Sequence, residues 1–193
     1  SLQIQHASII SKALLPLPEK WHGLSDVEVR YRKRYLDLIM NESVREIFRK
    51  RSLMLTKLRE YMDSRGYLEV QTPILQPIYG GGFAHPFKTH HNALDMDMYL
   101  RISNEMYLKR LIVGGFERVY EISVDFRNEG IDYKHNPEFT VMEAMTAYEN
   151  YFYGMELIEG LNEFLVKEAF GTTKITYEGK EINLKRPWKR ITM

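Results

Sequence analysis

The stretch FERVYEISVDFRNEGIDYKHNPEFTVMEAMTAY, residues 116–148, decides the fold. From Tyr120 to Arg127 apolar and polar residues alternate, which predicts a strand with one packed face and one fully polar face. The segment 128–138 that follows is polar and predicts a loop. A second strand is predicted over residues 139–148, so the stretch forms an antiparallel hairpin with a long tip.

Upstream of the hairpin, helical spacing predicts two helices. The first covers residues 26–40. The second begins at a capping box, in which the side chains of Ser43 and Glu46 each bond the other residue's backbone N–H, and Gly66 ends it. A strand is predicted over residues 67–75, where prolines restrict it to an edge or stop it.

Further elements give a fold class. Ser103 can cap a short helix over 104–113, a longer helix covers about 152–170, and a hairpin covers 174–184. Hairpins without regular βαβ alternation predict an α+β fold. The inward face of the longer helix is assigned to Leu157, Ile158, Leu161, Phe164 and Leu165.

The composition excludes several classes of protein. The chain has 193 residues, a formal net charge of +1 and no cysteine, which excludes disulfides, thiolate zinc sites and a cysteine nucleophile. No apolar run is long enough to predict a membrane span. No P-loop or Rossmann glycine motif opens a helix, so neither mode of nucleotide binding is supported.

The polar face of the hairpin is the candidate site. Arg127 and Glu129 lie at the start of the tip, His135 and Asn136 close it, and Glu143 lies on the returning strand. A guanidinium there can bind a phosphate or carboxylate with two hydrogen bonds, and a carboxylate on the facing strand can bind an ammonium group. The pattern equally fits an ordinary cross-strand ion network in which each exposed pair contributes little stability.

Two other features are open to more than one interpretation. The glycines 80–82 either let the backbone approach a ligand closely or form a flexible turn. His90 and His91, with Asp95 and Asp97, could suggest a metal site. Adjacent side chains of a strand point to opposite faces, so we expect no metal ligands in this chain.

The hairpin resembles motif 2 of class II aminoacyl-tRNA synthetases, and GYLEVQTPIL (66–75) resembles motif 1, the dimer-interface helix and strand. The segments THHNALD (89–95), YLRISNEMYLKRLIVGGFERVYE (99–121) and HNPEFT (135–140) resemble the lysine-specific branch of bacterial type. The resemblance extends from about Leu14 onward. It implies an antiparallel sheet flanked by helices. It also implies an enzyme that activates lysine with ATP and transfers it to tRNA(Lys).

The resemblance also implies roles for individual residues, with Arg127 and Glu129 central to catalysis by positioning and electrostatics. For ATP, the resemblance implies that Arg127 contacts the α-phosphate, Glu129 the adenine end, and Phe139 stacks on adenine. For lysine, it implies that Arg127 contacts the carboxylate, Gly81 and Glu105 the α-amino group, and Glu143 the ε-ammonium. His135 and Asn136 would contact nucleotide phosphate or lysine.

The chain departs from the family pattern at two places. The family usually has a tyrosine two residues after the glutamate at 143, where it helps to hold the ε-amino group. Met145 stands there, and its thioether cannot donate a hydrogen bond. The turn that commonly reads GGA-x-A-R-P-F is GGGFAHPF here (80–87), with Phe83 and with His85 in the arginine's place.

The resemblance leads us to expect a partial chain. Residues 1–13 are interpreted as the last strand of an upstream anticodon-binding OB-fold, 14–42 as a linker and helix, and 43–193 as the N-terminal part of the catalytic domain. Motif 3 and the Mg²⁺ ligands are expected beyond Met193. We therefore expect a cytoplasmic homodimer, joined through motif 1, whose activity requires the longer protein.

Two alternative functions remain open at this stage. One is a synthetase-like paralogue that attaches an amino acid to a protein instead of tRNA. The other is a regulatory paralogue that keeps the fold without catalysis. Retention of Arg127, Glu129 and Glu143 argues against the second alternative, and Met145 keeps it open.

Overall fold

The computed structural model describes residues 3–18 and 24–192. The chain divides into two compact units, residues 1–53 and 54–193. Its helices are α1 (Val27–Arg32), α2 (Arg34–Met40), α3 (Glu42–Asp63), α4 (Glu105–Val113) and α5 (Tyr151–Phe170). Its strands are β1 (Leu68–Glu69), β2 (Leu75–Gln76), β3 (Lys88–His91), β4 (Met96–Leu100), β5 (Arg118–Phe126), β6 (Glu138–Thr146), β7 (Lys174–Tyr177) and β8 (Lys180–Asn183).

The first unit contains α1, α2 and the beginning of α3. Asp37 is fully buried there and accepts hydrogen bonds from Arg30 Nε at 2.9 Å and Asn41 Nδ2 at 2.6 Å, and it also pairs with Arg34. The bond from Asn41, together with the two guanidinium groups, holds the pKa of Asp37 below its ordinary value. A buried carboxylate therefore organises this small helical unit.

The second unit has three sheets, ordered β1-β5-β6, β2-β4-β3 and β7-β8. β5 and β6 pair antiparallel along their whole length, with Glu121 opposite Glu143 and Asp125 opposite Phe139. β1 adds to β5 in parallel. The helices and the mixed and antiparallel sheets form an α+β fold, as the sequence predicts.

The core lies between one face of the β5–β6 hairpin and the helices α3 and α5. Tyr120 presents its ring to this core, with Ile122 and Met142 packed beside it. Residues two apart on a strand share a face, so the intervening side chains of β5 and β6 point away from the helices. The buried members of the core cluster are Tyr61, Met62, Tyr67, Tyr120, Leu157, Leu161 and Leu165.

Several predicted elements differ from those observed. The helix predicted over 26–40 breaks at Lys33, which ends α1 and begins α2. The predicted capping box is wrong because α3 begins at Glu42, so Ser43 already lies within the helix. Ile158 was assigned to the inward face of α5, yet 44% of it is exposed.

The strands near the beginning of the chain are shorter than expected. Residues 3–13 form no strand, and residues 1–2 of that segment lie outside the described residues. The strand predicted over 67–75 is reduced to β1, and β2 belongs to a different sheet. Residues 19–23 of the predicted linker and Met193 also lie outside the described residues. The assignment of 1–13 to an upstream domain and of 14–42 to a linker stays a prediction.

No helix within residues 3–18 and 24–192 has the length and apolar character that crossing a lipid bilayer requires.

Two glycines of α5 give a matched test of this packing. A Cβ at Gly160 would overlap the hydroxyl of Tyr61, whereas nothing lies within 4 Å of a Cβ at Gly154. We expect Gly160→Ala to lower the free energy of unfolding by about 1–3 kcal/mol, as overpacking does. Gly154→Ala should raise it by about 1 kcal/mol, because alanine favours helix. Urea denaturation measures both, and equal shifts in the two variants would contradict the packing described.

Candidate functional site

The two faces of the β5–β6 hairpin have different environments. The sequence left open a cross-strand ion network of exposed pairs that includes Glu121 and Asp125. These two side chains and Ser123 are instead only 1–3% exposed. Their burial comes from the turn at Thr72 and the segment 101–104, which cover this face of β5.

Arg101 is the centre of the buried polar cluster. Its guanidinium donates from Nη1 to Glu121 Oε1 at 2.8 Å and from Nε to the carbonyl oxygen of Val124 at 3.0 Å. It also lies 3.2 Å from Asp125 Oδ1 and donates to Thr72 at 3.2 Å. A guanidinium has five N–H donors, so it can serve several acceptors on two segments at once.

Glu121 remains ionised within the cluster. Burial raises its pKa, but hydrogen bonds from Thr72, Asn104 and Arg101 outweigh burial and hold that pKa below its ordinary value. Thr72 Oγ1 donates at 2.6 Å and Asn104 Nδ2 at 3.0 Å to Glu121 Oε2. The charge of Arg101 is therefore largely used by this one carboxylate.

The other two carboxylates of this face have less compensation. Burial raises the pKa of Asp125, and the hydrogen bond from Ser123 offsets burial only in part. Burial likewise raises the pKa of Glu143, with one hydrogen bond from Ser103 opposing it. Glu143 lies directly across the hairpin from Glu121, and like charges at such a position repel.

Three of the residues predicted to bind lysine meet at one hydroxyl group. Ser103 Oγ donates to Glu143 Oε1 at 3.0 Å and accepts the backbone N–H of Glu105 at 3.1 Å. Gly81 lies against the same hydroxyl, since a Cβ there would come within 2.7 Å of Ser103 Oγ. Its φ of +89° also disfavours any other residue. The backbone of the triple glycine thus approaches the Ser103 side chain closely.

Arg127 and Phe139 lie together at the far end of the same face. The guanidinium carbon of Arg127 is 5.2 Å from the centroid of the Phe139 ring, a cation–π distance. The backbone N–H of Arg127 donates to the carbonyl oxygen of Pro137 at 2.9 Å. The guanidinium is exposed and can bind an anion, while the ring offers a flat apolar surface beside it.

The hairpin tip contacts the segment 80–87, called here the glycine loop, through Glu129 and His85. The N–H of His85 donates to Glu129 Oε1 at 3.3 Å, and the N–H of Asn128 donates to the His85 carbonyl oxygen at 2.8 Å. His135 instead turns to Asp132, with Nδ1 at 2.8 Å from Oδ2. Asn136 is exposed. The structure thus brings Glu129 to the loop, and His135 lies apart with Asp132.

Met145 shares a face with Glu143 and lies opposite Val119 in the hairpin. It is half-buried and provides no hydrogen-bond donor. Among the described residues, Ser103 is the one side chain that donates a hydrogen bond to the carboxylate of Glu143.

The site is suited to a ligand that carries both charges. Glu105, Glu121, Asp125 and Glu143 bring four carboxylates, of which Glu121 and Asp125 share Arg101 and Glu105 pairs with Lys109. The half-buried end near Glu143 therefore favours a cation, and the exposed Arg127 favours an anion.

The described residues contain no group of three or more histidine, aspartate or glutamate side chains placed to hold a metal ion. The ring nitrogens of the exposed His90 lie 3.4 Å from Asp95 Oδ1 and 3.7 Å from Asp97 Oδ1.

Arg101, Ser103 and Thr72 are the site residues that sequence reasoning missed. One signal was available for Arg101, since a charged residue interrupts the apolar run Tyr99-Leu100-Arg101-Ile102. Charged residues are rarely fully buried unless they are paired, so a charge at such a position indicates a buried partner. No local signal pointed to Thr72 or Ser103.

Arg101 can be tested through stability. We expect Arg101→Ala to lower the free energy of unfolding by about 3–5 kcal/mol, because Glu121 would keep a buried charge without its main partner. Arg32→Ala removes an exposed guanidinium paired with Glu28 and should cost less than about 1 kcal/mol. Chemical denaturation of both variants measures the difference, and similar losses would contradict the central place of Arg101.

Comparison with known proteins supplies a family for this geometry. Residues 26–193 match the family described as tRNA synthetases class II (D, K and N). The chain is 58% identical over 193 residues to a lysine–tRNA ligase of Clostridium novyi (strain NT). It is 57% identical to one of Clostridium botulinum (strain Langeland) and 56% identical to one of Clostridium tetani.

Each of these alignments covers 100% of this chain and 38% of the relative, so the chain spans well under half the length of the curated relatives. The family match includes the hairpin, the glycine loop and the buried polar cluster. With that match over most of its length, and with relatives above half identity, the chain belongs to the class II tRNA synthetases (D, K and N).

Proposed function

We propose that this chain supplies the lysine-binding and part of the ATP-binding surface of a lysine–tRNA ligase. The observation that carries the proposal is the half-buried Glu143 beside an acidic cluster, at one end of a face whose other end presents Arg127. The names of the relatives favour this function over a protein-modifying or regulatory paralogue.

In the proposed reaction a carboxylate oxygen of lysine attacks the α-phosphorus of ATP. The bond from that phosphorus to the oxygen bridging to the β-phosphate breaks, which releases pyrophosphate and leaves lysyl-adenylate. The lysyl group then passes to tRNA(Lys) and AMP departs. The substrate carboxylate is the nucleophile, so the protein contributes positioning and electrostatic stabilisation.

Glu143 is proposed to bind the ε-ammonium group of lysine, with Met145 beside its methylene chain. Glu105 and the backbone at Gly81 are proposed to hold the α-amino group. The position of the loop supports this role for Gly81. A Cβ at Gly81 would come within 2.7 Å of Ser103 Oγ, so the loop backbone lies close to the residue that bonds Glu143. An ammonium group there would offset the repulsion among the neighbouring carboxylates.

Arg127 is proposed to bind the α-phosphate and the lysine carboxylate, where negative charge accumulates during attack. Phe139 is proposed to stack on adenine, and the 5.2 Å contact between its ring and Arg127 supports a shared nucleotide site. Glu129 would contact the adenine end, and His135 and Asn136 nucleotide phosphate or lysine. His135 would have to leave Asp132, its partner here, to do so.

The remaining partners are also proposals. Mg²⁺ would offset the negative charge of the ATP phosphates, with protein ligands outside this chain. A second copy of the chain would pair through motif 1. The exposed apolar side chains of Leu68, Ile74 and Leu75 within motif 1 support such a contact. We further propose a cytoplasmic location, and activity that requires the longer protein.

The proposal is tested by lysine-dependent exchange of pyrophosphate into ATP, measured on the full-length protein. We expect exchange with lysine and with no other amino acid. Glu143→Gln should raise KM for lysine by about tenfold or more, since a hydrogen bond to a charged group is lost. Glu138→Gln is the matched control, because this exposed glutamate lies on the opposite face of β6. Exchange with another amino acid alone would refute the assignment.

The pH dependence of lysine binding follows from Glu143. Its pKa is raised above the ordinary 4.5, mainly by burial, and only the ionised carboxylate attracts an ammonium group. Lysine affinity should therefore be present above the pKa of Glu143 and be lost as pH falls through it, beginning above pH 4.5. KM for lysine measured against pH should show this acid limb, and Glu143→Gln should flatten it. An unchanged limb in that variant would assign the titration elsewhere.

A further inference from the structure

Ser103 lies immediately before α4 and is 4% exposed. Its hydroxyl oxygen accepts the backbone N–H of Glu105 at 3.1 Å, as a capping serine does, and its proton is donated to Glu143 Oε1 at 3.0 Å. The N-cap of α4 is the next residue, Asn104, whose side chain makes no capping hydrogen bond. The Ser103 hydroxyl therefore joins the helix beginning to the hairpin strand that carries Glu143.

The hydrogen bonds at Ser103 run in one direction. The backbone N–H of Glu105 donates to Ser103 Oγ at 3.1 Å, and the Ser103 hydroxyl donates onward to Glu143. A hydroxyl that accepts a hydrogen bond becomes a better donor, because successive hydrogen bonds polarise one another. The hydrogen bond from the Glu105 N–H therefore strengthens the hydrogen bond that Ser103 donates to the Glu143 carboxylate.

The loop opposite adds a steric constraint. A Cβ at Gly81 would lie 2.7 Å from Ser103 Oγ and 2.9 Å from Ser103 Cβ. The loop backbone at Gly81 therefore lies close to the serine side chain, and any larger residue there would press on it. The buried hydroxyl thus accepts from a helix N–H and donates to a carboxylate, with a glycine beside it.

We propose that Ser103 is a positioning residue for lysine, which orients the carboxylate of Glu143 and favours its charged form. The inference rests on the proposed function and extends it to a residue that would act through Glu143. Met145, beside Glu143, has no donor with which to share this task. The carboxylate that would select lysine therefore depends on Ser103 for its orientation.

Other charged groups around Glu143 make this dependence stronger. Asp125 and Glu105 raise its pKa through repulsion, Arg127 lowers it, and Glu121 faces it across the hairpin. Burial, Asp125 and Glu105 therefore favour the protonated form of Glu143. The hydrogen bond from Ser103 and the charge of Arg127 are the contributions that favour the ionised form.

A graded series of variants separates this role from packing. Ser103→Ala removes the donor, and Ser103→Cys keeps a weak donor on a larger atom. We expect KM for lysine in pyrophosphate exchange on the full-length protein to rise by about tenfold in Ser103→Ala and by less in Ser103→Cys. kcat at saturating lysine should change less than KM. If the side chain served only to fill space, the larger cysteine would be the more damaging.

The pH profile gives a readout that a packing role would not move. Loss of the hydrogen bond raises the pKa of Glu143 further, so the acid limb of kcat/KM for lysine should move to higher pH in Ser103→Ala. In a Glu143→Gln background the same substitution should change KM little, because the group through which Ser103 acts is already neutral.

Ser64→Ala is the control for loss of a serine hydroxyl. Ser64 follows α3, and its hydroxyl donates to the carbonyl oxygen of Tyr61 at 2.8 Å, outside the proposed lysine site. We expect its KM for lysine to stay within about twofold of the wild type, because its hydrogen bond serves no site residue. Equal effects of Ser64→Ala and Ser103→Ala would overturn the inference.

The two proposals fail in different ways. A wild-type protein without lysine-dependent exchange refutes the proposed function, and the inference falls with it. A wild-type protein with exchange, but with an unchanged KM and acid limb in Ser103→Ala, refutes only the role of Ser103. Thermal denaturation establishes that each variant is folded. Should Ser103→Ala not fold, the comparison of Ser103→Cys with wild type decides, and an unchanged KM and acid limb there would refute the role.

Discussion

The contact between Arg101 and Glu121 is the constraint on which the second unit depends. Arg101 follows β4, and its side chain bonds Glu121 and the carbonyl oxygen of Val124 on β5. Its backbone N–H donates to the Ile74 carbonyl oxygen, and its carbonyl oxygen accepts the N–H of Phe126. One residue thus ties the β2-β4-β3 sheet to the hairpin. Because an unpaired buried charge is costly, the two sheets are held in one arrangement.

The same contact determines the charge of the candidate site. Arg101 stabilises the ionised form of Glu121, which leaves Glu143 and Asp125 with pKa values raised by burial and weaker compensation. Glu143 faces a permanent negative charge across the hairpin. A rigid sheet cannot relieve this repulsion by moving a strand, so the stabilisation must come from a donor or a bound cation.

The sequence predicts the hairpin, both long helices and the α+β class because these depend on local alternation and helical spacing. The burial of the polar face of β5 is not local. It results from Thr72 and Arg101, which are far from β5 in sequence, so alternation alone could not show what covers that side. The Ser43 capping box failed because the helix begins one residue earlier, and a capping pattern specifies a boundary only approximately.

The site residues divide in the same way. Arg127, Glu143 and Gly81 could be selected from the sequence because a strand face, a resemblance and a glycine run mark them. Ser103 could not be selected, because its importance lies in an acceptor 40 residues away. Its hydroxyl is useful only where burial has already raised the pKa of that acceptor. The residue that adjusts a functional carboxylate is therefore identified by the carboxylate's environment, and that environment exists only after the chain has folded.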